Sequence, residues 1–351
     1  MIISVFSDTV LAEPIISNID NIFIDGNNIT IYGSGFGVKE NPRPLISSYD
    51  DGINSFSNMP VGQNPSGNWT STGDGTSPIP ISDSPSLRRN GHSTSKKVDC
   101  LNSYPPYYGL VYFTPPNTSR LYISWWHYRD DTEWHILDGS GNNNKFFRYY
   151  WGTGNPVGSP VLSVVDQGEG DGIVDSVHFS ASDNCRALSY NPDSWSLDYA
   201  GGDAYKDSYY YASISSNHDF IPHLQQWDHH ELYLIFSSSG DSLDAKAYYW
   251  FNGKEMFRAS NFSDSDFGET TDGIRVLVFG HVSGAIDSPS HEYLDNVYID
   301  NTLAHIIISN KSSLTYPDML NFTHNEIQVP ISWSDNSITF TANQGSFNSG
   351  D

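Results

Sequence analysis

Two groups of acidic residues in this sequence could carry out acid–base or nucleophilic catalysis. One group lies in residues 130–133 and another in residues 166–171. Hydrolysis of a glycosidic bond with retention needs two carboxyl groups about 5 Å apart, one as nucleophile and one as proton donor. The second group lies between glycines, in sequence typical of a loop whose carboxylates are solvated. Neither group by itself indicates a hydrolase.

The glycine-rich stretch from residue 166 to 175 is a candidate calcium site. It places four carboxylates and three glycines within ten residues. Ca²⁺ prefers hard oxygen ligands in a tightly turning loop, although this spacing differs from the EF-hand pattern. A solvated acidic loop explains the same residues, so both interpretations stay open. The candidate ligands of a structural Ca²⁺ are Asp166, Glu169, Asp171 and Asp175.

The histidines give a weaker indication of a metal site. His229 and His230 are adjacent, so a strand would point them to opposite faces and one ion could not bind both. His127 and His135 flank a predicted turn and could converge, but no HxH or HxxxH pair exists. Structural histidines are the favoured interpretation.

Consecutive aromatic residues are the most informative functional signal. Runs at 125–128, 146–151, 209–211 and 248–251 lie on predicted strands. Neighbouring side chains on a strand point to opposite faces, so about half of each run must leave the core side. Aromatic rings on one sheet face can form a platform on which sugar rings stack, although loops that cover the face explain the pattern equally well. The candidate carbohydrate-binding residues are Trp125, Trp126, Tyr128, Tyr149, Trp151, Tyr210 and Trp250.

Charge and cysteine content restrict the partners. The chain of 351 residues carries 17 Lys and Arg against 41 Asp and Glu, a net charge of −24. Such a field repels nucleic-acid phosphates and anionic lipid headgroups, and no apolar run is long enough to span a membrane. We therefore expect no nucleic-acid partner and no membrane span. Cys100 and Cys185 lack the CxxC spacing of a zinc site, and they either form one disulfide or stay free.

The first residues carry a compartment signal. Residues 1–12 are mostly apolar and end in Val-Leu-Ala, with small residues spaced as in a signal-peptidase site. A truncated signal peptide and an ordinary leading strand are both compatible with this segment. Since the cysteine usage agrees with an exterior location, we expect an extracellular or cell-surface protein.

Hydrophobic periodicity predicts β-strands nearly everywhere. Residues 28–32, 120–125 and 273–278 alternate or run apolar over short stretches. The Asn-Gly pair at 252–253, between two apolar runs, predicts a two-residue type I′ hairpin. Residues 223–233 are the one stretch compatible with a short helical turn. The predicted fold class is all-β.

The two chain ends resemble one protein family. Residues 14–37 read PIISNIDNIFIDGNNITIYGSGFG and residues 333–341 read WSDNSITFT. They resemble the first and last strands of IPT/TIG domains, which are small immunoglobulin-like β-sandwiches. The resemblance implies one discontinuous sandwich formed by residues 13–45 and 301–351.

Residues 46–300 are too long for a loop and are predicted to form a second domain. Segments 122–126, 145–148, 227–234 and 293–300 resemble strands of concanavalin-like jelly rolls, a fold shared by laminin-G-like modules, lectins and glycan-active enzymes. The resemblance implies a jelly-roll sandwich inserted into the Ig-like one, and a structural Ca²⁺ near the sheet rim. The fold alone does not imply a function, because it hosts many.

The insertion predicts how the two domains join. The chain should leave the Ig-like sandwich near residues 44–46 and return near residues 297–300, at adjacent points, which keeps the closure entropy small. Inside the sandwich, Trp333 should pack with Ile29, Ile31 and Phe36.

Enzymes of the jelly-roll fold carry motifs that this sequence lacks. Glycosidases place carboxylates as E-x-D-x-x-E on one strand, and alginate lyases carry R-x-E-L-R, Q-x-H and Y-x-K-x-G-x-Y segments. None of these motifs occurs in the chain. The nearest basic cluster, at residues 88–92, is predicted to lie in a loop. The sequence therefore favours a non-catalytic protein over a hydrolase or a lyase.

Together these patterns predict an extracellular, non-catalytic surface protein that recognises a neutral polysaccharide or a cell-surface glycan. The alternative is a structural subunit of a fibre or sheath, whose leading strand at residues 2–10 would pair with the open edge of another copy. A glycan-cleaving enzyme with an unrecognised site is the second alternative.

Overall fold

A computed structural model of the chain shows an all-β protein. Its only helical segments within the described residues are two 3₁₀ turns, Gly52–Asn54 and Phe56–Asn58. In that same part of the chain, no helix is long and apolar enough to cross a membrane. The structure describes residues 2–5, 14–48, 52–72, 80–84, 97–102, 110–129, 143–152, 162–169, 172–179, 186–187, 225–236, 238, 242, 244–263, 274–280, 290–310, 325–345 and 347.

The described residues contain twenty-one strands. Those near the N-terminus are β1 (Ile2–Val5), β2 (Ile15–Asp20) and β3 (Asn28–Ser34). The middle of the chain contains β4 (Ile46–Ser47), β5 (Thr70–Thr72), β6 (Ile81–Ser82), β7 (Lys97–Asn102), β8 (Leu110–Phe113), β9 (Arg120–Arg129), β10 (Asn143–Gly152), β11 (Leu162–Glu169), β12 (Gly172–Phe179), β13 (Arg186–Ala187), β14 (Trp227–Ile235), β15 (Ala245–Phe251), β16 (Lys254–Ser263), β17 (Ile274–Gly280) and β18 (Ser290–Asp300). Those near the C-terminus are β19 (Ile306–Ser309), β20 (Asn325–Trp333) and β21 (Ser337–Thr341).

Strands from both ends of the chain share one six-stranded sheet, in the order β1-β19-β20-β21-β3-β2. Strand β3 pairs antiparallel with β21, with Ile31 opposite Ile338. Strand β20 pairs with β19 through residues 325–328 and with β21 through residues 329–333. We call this unit, strands β1–β3 and β19–β21, the end domain. That it belongs to the IPT/TIG family stays a prediction.

One apolar core fills the end domain and contains Val5 and Ile306 as well as the residues of β3 and β21. Trp333 shares this core with Ile29, Ile31 and Phe36, as predicted. Its indole N–H donates to the Phe36 carbonyl oxygen at 3.1 Å, so the buried ring keeps a polar partner.

The first described residues belong to the same sheet. Strand β1 pairs antiparallel with β19 of its own chain, with Ile3 opposite Ile308. Residues 2–5 therefore form a strand of this sheet, while the two predictions for residues 1–12, a truncated signal peptide and a leading strand, both stay predictions.

The middle of the chain forms a second sandwich of two sheets. A nine-stranded sheet has the order β13-β16-β15-β14-β9-β18-β7-β6 with β4 also paired to β18, and a six-stranded sheet has the order β12-β11-β10-β17-β8-β5. Their facing sides enclose an apolar core in which Trp125 stacks on Phe147, with 4.8 Å between ring centroids. This architecture confirms the predicted jelly-roll class. We call strands β4–β18 the jelly-roll domain and its nine-stranded sheet the large sheet.

The two segments that connect the domains lie side by side. Strand β4 pairs with the end of β18, with Ile46 opposite Ile299 and Ser47 opposite Tyr298. The first and last strands of the jelly-roll domain are thus hydrogen-bonded neighbours, and the predicted insertion of this domain into an Ig-like sandwich stays a prediction.

Two local predictions have clear outcomes. Asn252 and Gly253 have φ angles of 48° and 76°, so the predicted hairpin with two left-handed turn residues is confirmed. Residues 227–233, which the sequence left compatible with a short helical turn, belong to strand β14. Both faces of β14 are buried, so polar and apolar residues do not alternate and the strand pattern is hidden.

The described residues of the acidic stretch, 166–169 and 172–175, lie on strands and not in the predicted loop. Strands β11 and β12 form a hairpin in which Asp166 lies opposite Asp175. Asp166 and Glu169 therefore lie on β11, and Asp175 lies on β12, its antiparallel partner.

Several predicted site residues cannot be placed. Outside the described residues lie His135, Asp171, Cys185 and Tyr210. Six further predicted site residues lie on described strands, but their side chains are not described: Cys100, Tyr149, Trp151, Asp166, Glu169 and Asp175. The calcium site and the disulfide stay predictions.

Candidate functional site

The outer face of the large sheet carries most of the polar and aromatic residues with chemical potential. Its central strands β14, β9 and β18 pair in register, and every second residue faces away from the jelly-roll core. The outward residues of β9 are Tyr122, Ser124, Trp126 and Tyr128, and their respective partners on β14 are Tyr233, Glu231, His229 and Trp227.

The end domain covers one half of this face. Apolar side chains of β19 and β20 pack there against aromatic rings from four strands of the large sheet. The Trp250 ring retains no exposed surface in this contact. We call the contact the domain junction; its buried residues are Tyr122, Tyr233, Trp250, Tyr298, Ile307, Ile327 and Val329.

The other end of the face carries a separate aromatic cluster. Trp227, Tyr128 and Tyr293 are cross-strand neighbours, with ring centroids 5.4 and 6.0 Å apart. His291, two residues before Tyr293 on β18, stacks on the Tyr293 ring at 6.1 Å. Tyr128 and Tyr293 are buried, whereas Trp227 and His291 are half-buried. We call these four residues the aromatic row.

The structure corrects the predicted carbohydrate platform for three residues. Trp125 faces the jelly-roll core and stacks on His230 at 4.9 Å. Trp250 is enclosed in the domain junction, and Trp126 is buried against His229 with 4.8 Å between ring centroids. None of these rings is exposed as a platform, because the second sheet covers Trp125, the end domain covers Trp250, and Trp126 is only 8% exposed. Among the predicted residues whose side chains are described, Tyr128 alone belongs to the aromatic row.

A hydrogen-bond chain of serine, histidine and amide lies between the aromatic row and the domain junction. Ser124 Oγ is 2.8 Å from His229 Nε2. His229 Nδ1 is 3.1 Å from Asn325 Nδ2 of the end domain and 3.7 Å from Glu231 Oε2. Serine, histidine and acid in this order are the components of a nucleophilic-serine site.

Two features keep this chain of residues from activating the serine. The Asn325 amide N–H donates to His229 Nδ1, so the ring proton lies on Nε2 and is donated to Ser124. A nucleophilic serine needs the opposite tautomer, in which Nε2 accepts the hydroxyl proton. Ser124 also has no exposed surface. The residues instead fasten the end domain to the large sheet.

Glu231 is the acidic group of this network. Its Oε1 accepts a hydrogen bond from the Tyr122 hydroxyl at 2.5 Å. Burial raises the pKa of Glu231 to about 7, against the opposing effect of the Tyr122 hydrogen bond. A carboxyl group that titrates near neutrality therefore lies beside the domain junction.

The inner face holds a second group of histidines. His230 Nδ1 is 2.8 Å from the Tyr249 hydroxyl, and burial lowers the pKa of His230 well below its ordinary value, with His127 and His229 adding to the shift. His127 Nε2 lies 3.6 Å from Glu292 Oε2. His229 and His230 face opposite sides of β14, as predicted. Within the described ranges, no three His, Cys, Asp or Glu side chains converge as metal ligands.

The sequence patterns do not single out three residues of this face: Trp227, His291 and Asn325. Trp227 and His291 stand outside the runs of consecutive aromatics, so density did not single them out. A signal existed for Trp227, since its spacing from His229 and Glu231 places all three on one strand face. Nothing in the sequence places Asn325 opposite His229, because the two residues meet only through the docking of two domains.

No family profile matches the sequence, and no curated protein matches it. Among solved structures, the chain is similar to alginate lyase vAL-1 from Chlorella virus, with 13% identity and a TM-score of 0.40 over 59% of this chain and 85% of that chain. It is also similar to an endo-β-1,4-glucuronan lyase from the fungus Trichoderma reesei, with 10% identity and a TM-score of 0.39 over 67% and 87% of the two chains.

A third similar structure is domain 4 of the arabinanase AbnA from Geobacillus stearothermophilus in complex with arabinotriose. It has 15% identity and a TM-score of 0.36 over 74% of this chain and 94% of that chain. At this level of similarity, neither the chemistry nor the ligands of these proteins transfer to this chain.

Proposed function

We propose that the protein is an extracellular, non-catalytic module that binds a glycan at the aromatic row. The observation that carries this proposal is the half-buried ring of Trp227, which lies outside the domain junction on the outer face of the large sheet. A partly exposed indole held by Tyr128 keeps its orientation before a ligand arrives, which lowers the entropy cost of binding.

The residues around Trp227 suit a sugar. An indole face packs against sugar C–H groups, and its N–H can reach a hydroxyl. The half-buried imidazole of His291, at the other end of the row, can donate or accept a hydrogen bond. These groups combine apolar contact with a few polar contacts, as small-ligand sites do.

The charge of the chain selects the glycan class. A net charge of −24 repels polymers that carry a carboxylate or a sulfate on each unit, and this repulsion weakens with added salt. The proposed ligand is therefore a neutral polysaccharide or the neutral part of a cell-surface glycan.

A binding panel of neutral polysaccharides, measured by affinity electrophoresis and calorimetry, tests the proposal. Trp227→Ala should weaken binding by about tenfold or more, since an aromatic anchor at a binding site contributes this much. Tyr248→Ala is the matched control, because Tyr248 is also half-buried but packs against the domain junction. Failure of the whole panel to bind, or equal losses in the two variants, would contradict the proposal.

A structural subunit of a fibre is a second candidate, favoured by one edge of the end domain. Among the described strands, β2 is the last of its sheet, and its residues Ile15 and Ile19 are 62% and 47% exposed. An apolar edge with unpaired backbone groups can accept a strand from another copy. Because Ile2–Val5 already pairs with β19, the added strand would have to come from elsewhere. Electron microscopy of the native material supports this candidate if filaments appear, and uniform single particles contradict it.

A further inference from the structure

A buried lysine and a buried aspartate meet where the chain passes between the two domains. Lys39 lies on the segment between β3 and β4, and Asp300 is the last residue of β18. Lys39 Nζ is 2.5 Å from Asp300 Oδ2, and the two residues are only 5% and 1% exposed. The contact joins positions that are 261 residues apart in the sequence, one on each of the two segments that connect the domains.

The surroundings of this pair are aromatic and contain one hydroxyl that touches both groups. Tyr298 accepts a hydrogen bond from Lys39 Nζ at 3.3 Å and donates one to Asp300 Oδ2 at 3.0 Å. The Trp333 ring centroid lies 5.5 Å from Nζ. The backbone N–H of Asn301 holds the other carboxylate oxygen at 2.8 Å.

We propose that Lys39 and Asp300 condense into an intramolecular amide, an isopeptide bond between the two connecting segments. In the first step, the ammonium group of Lys39 passes one proton to the Asp300 carboxylate, which leaves a neutral amine beside a carboxylic acid. Nζ then attacks the carboxyl carbon, and a new N–C bond forms. The bond between the carboxyl carbon and Oδ2 breaks, Nζ gives up a second proton, and Oδ2 leaves with both protons as water, so no oxidant, reductant or cofactor is required.

Burial favours each part of this reaction. Removing two charges from water is costly, so a buried pair favours its neutral form and, still more, a neutral amide. In agreement, burial raises the pKa of Asp300 to about 6, although Lys39 and the hydrogen bonds oppose this shift. Reacting groups held in contact behave as if present at about 10⁵–10⁸ M, which compensates for the poor reactivity of a free acid and amine. The Tyr298 hydroxyl can relay the proton between Nζ and Oδ2.

The mass of the intact chain, measured after complete denaturation, tests the proposal directly. The bond predicts that most chains are lighter than the sequence mass by one water molecule. Peptide mapping should then give a branched peptide that contains Lys39 joined to Asp300. A full-length mass without the water loss, or separate unmodified peptides for the two residues, overturns the proposal.

Cyclisation of Asp300 with Asn301 to a succinimide also loses one water, so a variant separates the two reactions. Lys39→Met cannot form the isopeptide, and its chain should have its full calculated mass. If Lys39→Met still loses water, the succinimide explains the mass and the proposal is wrong. If this variant does not fold, the branched peptide from the unaltered protein decides the question alone.

Discussion

The two ends of the large sheet's outer face are built from the same residue types and lie in different surroundings. At the domain junction, Tyr122, Tyr298 and Trp250 are completely buried beneath β19 and β20 of the end domain. At the opposite end, Trp227 projects from the same antiparallel ladder and remains half-buried. One set of rings on these strands therefore packs between the two domains, and the ring of Trp227 on the same strands stays partly exposed to solvent.

This difference shows what decides the role of an aromatic residue on a strand. Alternation along β9 and β14 determines which face each ring occupies, and it does so at both ends alike. The role of each ring then depends on whether the end domain covers it. The place where β19 and β20 pack on the large sheet decides which rings are covered. Aromatic density in a sequence therefore indicates a contact surface without distinguishing an internal contact from an external one.

The largest effect expected from this comparison is on stability. Trp250→Ala removes a ring from the closed domain junction and should lower the free energy of unfolding by about 3–5 kcal/mol, because it leaves a cavity. Trp227→Ala removes the same ring type where water can replace it, and should cost about 1 kcal/mol. Urea denaturation of both variants checks the contrast. Equal losses would show that the two ends are not differently packed.

Much of the architecture could be predicted from local pattern. Alternation gave the strands, and the Asn-Gly pair gave the hairpin, because only residues that tolerate positive φ fit that turn. The core position of Trp333 followed from the resemblance of the chain ends to a small sandwich. These features depend on residues close in sequence or on a motif.

The parts that could not be predicted depend on contacts between distant segments. Trp125 is buried because the second sheet of the jelly roll covers it, and Trp250 is buried because the end domain covers it. No local sequence pattern predicts either contact. Lys39 and Asp300 are 261 residues apart in the sequence and meet only because the two segments that connect the domains lie side by side. The bulge between Asp295 and Tyr298 also changes which residues of β18 face outward, and strict alternation does not predict it.

The next largest expected effect is a pH dependence of the unfolding free energy, caused by Glu231 beside the domain junction. Burial raises the pKa of Glu231 from 4.5 to about 7 in the folded chain. The stability that this shift contributes is fully present below pH 4.5 and is lost as the pH rises towards about 7, since the unfolded chain ionises first. The loss should reach about 3 kcal/mol. Chemical denaturation across this pH range measures it.

Glu231→Gln is the control for this titration, because the amide oxygen can still accept the Tyr122 hydrogen bond without ionising. The difference in unfolding free energy between the two proteins should change with pH in the direction stated. Burial lowers the pKa values of His230 and His305 in both proteins, so the opposite pH dependence of these two residues cancels in the difference. A difference that stays constant from acid to neutral pH would mean that Glu231 ionises normally.

The smallest expected effect comes from the Asn325 amide, which connects the end domain to His229. Asn325→Ala removes the donor 3.1 Å from His229 Nδ1, in a place where both residues are buried. A buried polar atom deprived of such a bond costs about 1–3 kcal/mol, so the free energy of unfolding should fall by that amount. Asn336→Ala is the matched control, since Asn336 lies in the same domain but is exposed, and its amide makes only a 3.4 Å contact with the Gly33 carbonyl oxygen. The control should stay within about 0.5 kcal/mol of the unaltered protein.

A double-variant cycle tests whether the three residues act together. If Ser124→Ala is added to Asn325→Ala, the combined loss of unfolding free energy should differ from the sum of the two single losses, because His229 contacts both residues. Strict additivity would show that the serine, histidine and amide do not act as one fastening between the domains.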